Sequence, residues 1–421
     1  MYIGVIADDF TGGTDIAGFM TQNGLAVTQF IGIPECGMAF EDPHCAVISL
    51  KSRSCPPQDA VRDSLAALAW LQQHGCTRFF FKYCSTFDSS AKGNIGPVTD
   101  ALMKQLGQSI TVLAPGLPVN GRTVYCGNLF VNNVPLHESG MRNHPVTPMR
   151  DANLMRLMDA QAQGTTASIP YPVMEQGPES VRKALALAEK EGFRYAVPDT
   201  VNNAHLDTLA EAVEAMPLVT GGSGLGAALA GRAARKLGLG NSPHTKTGMP
   251  PGGRCVVLCG SASTMTNAQV ARYREQAPAM ALDVRRAAAD PCGYARELAA
   301  WVSSCPEKQL APLVSSTPGP DELAAIQKEF GAEVSGNAVE TAFAHLGALL
   351  KQDGFTHFIV AGGETSGAVV KALGVKAFHI GPQIAPGVPW VRAVDQPLSL
   401  ALKSGNFGDE AFFFTAQGFW Q

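Results

Sequence analysis

The sequence has no run of about 18 consecutive apolar residues, so no membrane-spanning helix is expected. Its opening, MYIGVIADDF, lacks a basic stretch leading into a long apolar segment; no secretory signal is expected, and the reading is cytoplasmic. Charge of one sign is scarce. The formal net charge is −4 with no long block of either sign, which excludes the basic stripe of a nucleic-acid surface. Charged residues are only 16 % against 46 % hydrophobic, which excludes a disordered chain. The ten cysteines include no Cys-x-x-Cys pair. Cys255 and Cys259 come closest, but they alternate onto one face of an apolar strand-like run and read as core; the ten read mostly as free thiols. The nine histidines do not cluster with cysteines at ligand spacing, so zinc is not expected and metal ligands remain unassigned. A Walker A sequence is also absent: Lys51-Ser52, Lys246-Thr247 and Lys403-Ser404 all lack the preceding glycine spacing. The motif set of protein kinases is missing as well.

What is present is an alternation of short apolar runs and helical patterns over 421 residues, a length for two or three domains. Strands are predicted at 2–7, 45–50, 78–82, 110–114, 194–198 and 216–220. The clearest helix spans 57–74, opened by Pro56 and Pro57 and closed by Gly75, with Val61, Leu65, Leu68 and Ala69 on one face. Residues 241–254 are rich in Pro, Gly, Ser and Thr and read as a linker. The pattern then restarts, with strands at 255–259, 310–314, 355–361 and 389–394 and helices at 265–276, 321–330, 338–352 and 366–373. The fold class is therefore α/β, in two domains at 1–240 and 255–421. Each is a mainly parallel sheet flanked by helices, with a cleft expected between them and a tail, 401–421, packing back on the body.

In such sheets ligands bind beyond the carboxyl ends of the strands. The first predicted strand ends at Asp8-Asp9, the second at Lys51 with Arg53 next, and the third at Lys82, followed by Ser85-Thr86-Phe87-Asp88-Ser89 and Lys92-Gly93-Asn94. Cations suit a substrate carboxylate or phosphate. Carboxylates suit sugar hydroxyls, a metal ion or proton abstraction. Together these groups match a hydroxylated acid, although Asp9 or Thr11 alone would also serve as a helix cap.

The second domain carries two glycine-containing turns between a strand and a helix: Gly260-Ser261-Ala262-Ser263, and Gly362-Gly363-Glu364-Thr365-Ser366-Gly367. Small residues at a helix N-terminus suit nucleotide phosphates. A third stretch, Gly222-Ser223-Gly224-Leu225-Gly226-Ala227, fits a dinucleotide fingerprint but lacks the acidic residue ~20 positions on. It reads instead as lining for the first domain's pocket or as a tight turn.

Ile6-Ala7-Asp8-Asp9-Phe10-Thr11-Gly12 resembles the opening motif of the four-carbon acid sugar kinases. Lys82…Ser85-Thr86, Gly221-Gly222-Ser223-Gly224-Leu225, Gly260-Ser261-Ala262-Ser263, Gly362-Gly363-Glu364-Thr365-Ser366 and Leu402-Lys403-Ser404-Gly405-Asn406-Phe407-Gly408 follow in that family's order. The resemblance implies a sugar-acid-binding first domain and a nucleotide-binding second domain. It places Asp8, Asp9, Arg53, Lys82, Ser85 and Thr86 on the acceptor, with Asp8 or Asp9 as base. It places Ser261, Ser263, Gly362, Gly363, Glu364, Thr365, Ser404 and Gly405 on ATP, with Mg²⁺ as the accompanying ion. Two segments, 83–97 and 141–149, resemble the branch acting on 3-oxo-tetronate at its terminal hydroxyl. D-threonate, L-threonate and D-erythronate are the alternative acceptors. A sugar-acid sensor and a nicotinamide-dependent dehydrogenase are the rivals from other classes. The expected partners are the sugar acid and ATP, without nucleic acid or membrane, and the oligomeric state, a homo-oligomer included, stays open.

Overall fold

The computed structural model describes residues 2–420 except 36, 37, 39, 41, 42, 144–146, 240–242, 307–309 and 317–319; the side chains at 320, 321, 323, 324 and 332 also lie outside the description. Part of the 141–149 segment, His144 included, and the start of the 241–254 linker therefore fall outside it. The chain forms two compact units, Met1–His244 and Thr245–Gln421. Among the described residues no helix is long and apolar enough to cross a membrane.

The first unit is built on β1 (Ile3–Ala7), β2 (Val27–Ile31), β3 (Cys45–Ser49), β4 (Arg78–Lys82), β5 (Thr111–Ala114), β9 (Thr166–Ile169), β10 (Tyr195–Pro198) and β11 (Leu218–Gly221), with β6 (Arg122–Tyr125), β7 (Asn128–Val131) and β8 (Val134–Pro135) forming a small antiparallel sheet to one side. The main sheet runs β2-β3-β1-β4-β11-β5-β10-β9, parallel throughout. All six strands predicted for this half are there. β1 and β3 are buried along their whole length, as unbroken apolar runs covered on both faces should be.

β2 was not predicted because its centre is polar. Thr28 and Gln29 are buried there, and Gln29 Nε2 donates to Ser49 Oγ at 2.8 Å and to the Phe10 carbonyl at 3.1 Å. The helix Pro57–Gln73 also turns a different face inward. Ala60, Ser64, Ala67, Leu68 and Leu71 are buried, whereas Val61 and Leu65 are half-buried and Ala69 is exposed. Of the predicted face only Leu68 is fully buried, because the inward side is built largely from the small residues Ala60, Ser64 and Ala67.

The second unit contains β12 (Cys255–Cys259), β13 (Ala279–Ala281), β14 (Leu313–Ser315), β15 (His357–Ala361), β16 (Ala377–Ala385), β17 (Val388–Ala393) and β18 (Ser399–Lys403). The order is β13-β14-β12-β15-β18-β17-β16. It is parallel as far as β18, and β17 and β16 then run antiparallel. Residues 401–403, part of the apolar tail in the sequence reading, thus belong to a strand inside the sheet. The helix Phe412–Gln417 covers that sheet, burying Phe412, Phe413 and Ala416 beside Tyr273 and Trp390. Trp390 Nε1 donates to the Ala416 carbonyl at 3.0 Å, so the indole buried there keeps a partner. Cys259 lies in this core with Cys255 packed against it. The nine described cysteines are all free.

Candidate active site

In the first unit the parallel strands deliver their carboxyl ends to one edge. β1 ends at Ala7, Asp8 follows it, and the chain turns directly into the helix Phe10–Gln22, so Asp9 becomes its N-cap. Asp9 Oδ1 accepts from Gly12 N at 2.6 Å, and Oδ2 accepts from the Thr11 hydroxyl at 3.2 Å. Past β3 the backbone at Ser52 and Arg53 donates to the Asp8 carbonyl, at 2.9 and 3.1 Å. Asn94 Nδ2 fastens the same loop from outside, donating to the carbonyls of Ser52 at 2.8 Å and Cys55 at 2.8 Å.

This fixes the Arg53 guanidinium among three carboxylates. Nε and Nη2 donate to the two oxygens of Asp8 at 2.9 and 2.7 Å, Nη1 lies 2.9 Å from Asp9 Oδ2, and Asp88 Oδ2 is 4.0 Å away. Burial works against the Arg53 charge, but Asp8 and Asp9 outweigh it and hold the guanidinium above its usual range. Burial also pushes the Asp8 carboxyl above the ordinary carboxylate range, with Arg53 opposing. The three carboxylates are thus engaged with a cation already, and they do not form an open metal cage.

Thr86 donates to Asp88 Oδ1 at 2.7 Å, and Ser85 is buried in the same loop. Between them and Asp88's partners, Phe87 takes a left-handed φ of +49° although buried. Such a conformation costs a non-glycine residue about 1–2 kcal/mol, and here it turns Thr86 and Asp88 toward each other.

Lys82, at the end of β4, is buried. Its Nζ donates to the Tyr83 carbonyl at 2.9 Å and stands 3.6 Å from Asp15 Oδ2. Asp15 was not singled out from sequence. It sits two turns into the helix that Asp9 caps, and it is buried. Burial raises its carboxyl pKa, while Lys82 and the Ser223 hydroxyl oppose the rise. The available signal was an acid inside an otherwise small and apolar helix, TGGTDIAGF. Ser223 hydrogen-bonds Asp15, which gives the Gly222–Ala227 stretch its place. Its glycines serve packing: a Cβ on Gly224 would lie 2.6 Å from the Gly116 carbonyl oxygen, and one on Gly226 would lie 2.7 Å from Ile16 Cδ1.

In the second unit the two predicted turns and the Ser404-Gly405 segment come together. A Cβ on Gly405 would lie 2.6 Å from Ser261 Oγ and 2.8 Å from Ser263 Oγ, and one on Gly260 would lie 2.1 Å from Thr365 Oγ1. Gly362 has φ +121° and lies against Ser261 and Thr365. Ser263 caps the helix Thr264–Tyr273 by accepting from Thr266 N at 3.2 Å. Gly363 opens the helix Gly363–Ala372, with Glu364 exposed in its first turn. Gln269 Nε2 holds the loop after β18 through the carbonyls of Phe407, at 3.1 Å, and Asp409, at 2.8 Å. Two helix N-termini and a close-packed backbone surround this point, and the side chains there are mostly hydroxyls. That is a chemistry suited to phosphate oxygens. Among the described residues no group of three or more His, Cys, Asp or Glu stands at metal-ligand geometry.

Residues 3–229 match the family model of a sugar-binding N-terminal domain, and residues 256–413 match that of a nucleotide-binding C-terminal domain. The 3-oxo-tetronate kinase of Pectobacterium atrosepticum is 57 % identical over 418 residues, which cover 99 % of this chain and 98 % of that one. The 3-oxo-tetronate kinase of Salmonella typhimurium is 54 % identical over 417 residues, covering 99 % and 98 %. A crystal structure from Salmonella typhimurium LT2, of a protein proposed to be a tRNA synthase, matches with a TM-score of 0.89 and 54 % identity over 100 % of both chains. A crystal structure of a Haemophilus influenzae protein matches with a TM-score of 0.79 and 53 % identity, covering 99 % of this chain and 100 % of that one. Relatedness of this extent, carried by both domain models and by full-length kinases, makes the chain a member of the four-carbon acid sugar kinase family.

Proposed function

We propose that this chain transfers the γ-phosphoryl group of ATP to the C4 hydroxyl of 3-oxo-tetronate, releasing ADP and the 4-phosphate. The observation that carries the reading is the division of chemistry. The unit matching the sugar-binding model gathers Asp8, Asp9, Arg53 and Lys82 at its strand ends. The unit matching the nucleotide-binding model gathers hydroxyls, glycines and helix N-termini.

In the acceptor unit, Arg53, Lys82 and the Ser85–Thr86 hydroxyls receive the carboxylate and the polar carbons of the acid. Asp8 accepts the C4 hydroxyl proton as the new oxygen–phosphorus bond forms and the bond from Pγ to the β,γ-bridging oxygen breaks; the bond electrons leave with ADP. Both carboxylates are already held, Asp8 by Arg53 and Asp9 by the helix cap and Arg53; Asp8 is chosen because burial raises its basicity. In the nucleotide unit, Ser261, Ser263, Gly362, Gly363, Glu364, Thr365, Ser404 and Gly405 cradle the phosphates. The metal enters as MgATP, where it offsets phosphate charge.

A tRNA-directed activity fits poorly. The net charge is −4, and phosphate-backbone recognition needs a basic surface. The test is ADP release from MgATP with 3-oxo-tetronate, D-threonate, L-threonate and D-erythronate. Turnover of 3-oxo-tetronate above the others supports the proposal. Preference for another acid keeps the kinase and changes the acceptor. Absence of turnover and of ATP binding overturns the reading.

A further inference from the structure

Lys403 closes β18 at the centre of the nucleotide unit and is fully buried. Its Nζ donates to the Gly405 carbonyl at 2.7 Å, to Thr266 Oγ1 at 3.0 Å and to the Ser404 carbonyl at 3.1 Å. An ammonium has three hydrogens, so this is its full complement, and every acceptor is neutral. Thr266 relays the contact: its hydroxyl donates to the Gly405 carbonyl at 2.8 Å and accepts from Ser263 Oγ at 3.1 Å. One lysine therefore ties the loop after β18 to the cap of the helix Thr264–Tyr273, the two segments whose close approach shapes the candidate phosphate cradle.

Lys82 also ends a parallel strand and is also buried, but it faces Asp15 at 3.6 Å. Among the described residues no carboxylate is in hydrogen-bond or ion-pair contact with Lys403. A titratable group that faces it is the Cys259 thiol, which burial pushes up to about 12 and so keeps neutral, and the Phe412 ring lies 5.9 Å away. A buried cation among neutral oxygens is costly to keep charged. Burial accordingly lowers the Lys403 pKa to about 8. A polyphosphate seated at the adjoining turns would supply the missing negative charge.

We propose that Lys403 is a positioning residue for the nucleotide, holding the Ser404–Gly405 backbone against Ser263 and providing a buried positive charge that the bound phosphates neutralise, so that nucleotide affinity is linked to its protonation. The proposal rests on the reading of this unit as the nucleotide site. Its consequence is directional. Below about pH 8 the lysine is already charged in the free protein, and affinity is flat. Above that pH, binding must recruit a proton, and affinity falls by about tenfold per pH unit until the pKa of the complex is reached. The nucleotide does not mimic this, since its terminal phosphate, with a second pKa near ~6, is ionised throughout that range.

The test is calorimetric binding of MgADP to the full chain at pH 7.5 and pH 9, for the wild type, K403M and T266V. The expected results are a wild-type affinity about tenfold weaker at pH 9, a K403M affinity weak at both values with no pH dependence, and a T266V affinity reduced with the wild-type pH slope retained. A pH-independent wild type overturns the proposal without reference to any variant, which covers a K403M chain that does not fold. So does K403M binding with wild-type affinity and slope. Failure of the wild type to bind MgADP at either pH overturns the nucleotide reading itself and is thereby distinguished from failure of the Lys403 role.

Discussion

Arg53 grips Asp8 through two parallel hydrogen bonds, at 2.9 and 2.7 Å, and spends its remaining Nη on Asp9 at 2.9 Å. The guanidinium is thereby the element that keeps two adjacent carboxylates side by side at the end of β1. A planar fork can do this and a lysine cannot. R53K is therefore expected to lower kcat/KM for the sugar acid by roughly 10²-fold, and R53A to do the same while also destabilising the fold by about 3 kcal/mol, because it leaves Asp8 buried without its cation. Steady-state kinetics and urea denaturation check both. Near-wild-type kcat/KM in R53K would remove Arg53 from the site.

Asp8 is the proposed base, chosen from the Asp8 and Asp9 pair, and its pH behaviour follows from burial. Its raised pKa places the acid limb of kcat/KM above the ordinary carboxylate range of ~4. The same shift fixes the sign for stability. The native state binds the proton more tightly, so the contribution of Asp8 is full below about pH 4 and is lost as pH rises through the native value. D8N should lower kcat by ~10²-fold or more and abolish the acid limb. A variant that changes KM alone would leave Asp8 a binding group. D9A, by contrast, should cost about 1 kcal/mol of stability through loss of the helix cap.

Lys82 and Asp15 form a buried pair whose halves need each other. K82M and D15N should each destabilise by about 3 kcal/mol, and the double variant by clearly less than their sum. A double-mutant cycle in urea measures this. Additive losses would mean that the two charges do not interact.

How much of this was readable in advance depends on where the polar groups sit. β1 and β12 are apolar throughout, β3 is apolar up to Ser49 and β4 carries three phenylalanines between Arg78 and Lys82, and each appears where the pattern predicts. β2 hides Gln29 and Thr28 in its core, and residues 401–403 of β18 fall in the stretch read as an apolar tail, so neither strand was predicted. The strand-end rule found Asp8, Asp9, Arg53 and Lys82 because they follow legible strands. It could not find Asp15, which enters from inside a helix, or the roles of Lys403 and Thr266, whose contacts join segments more than a hundred residues apart. The Gly222–Ala227 fingerprint is ambiguous in the sequence for a similar reason: the space its glycines leave is filled by Gly116 and Ile16, from remote parts of the chain.

The glycine turns give a prediction separable from the acceptor site. A Cβ at 260 meets Thr365 Oγ1 at 2.1 Å and must displace it. G260A is expected to raise the KM for ATP roughly tenfold and leave the KM for the sugar acid unchanged. A rise in both would indicate general misfolding of the unit.

Nucleotide choice is open to a melt. MgATP at about 100 times its Kd should stabilise the native state by about 2.7 kcal/mol, with no comparable effect from NAD. The reverse order would favour a dehydrogenase.

The most direct test of the central claim is product analysis of the purified chain with MgATP and 3-oxo-tetronate, following ADP and phosphorylated acid together by ³¹P NMR and mass spectrometry. The account predicts equal amounts of ADP and a monophosphate carried on C4, formed only when the acid is present. ADP formed without a phosphorylated acid, or phosphate carried on another oxygen, would contradict it.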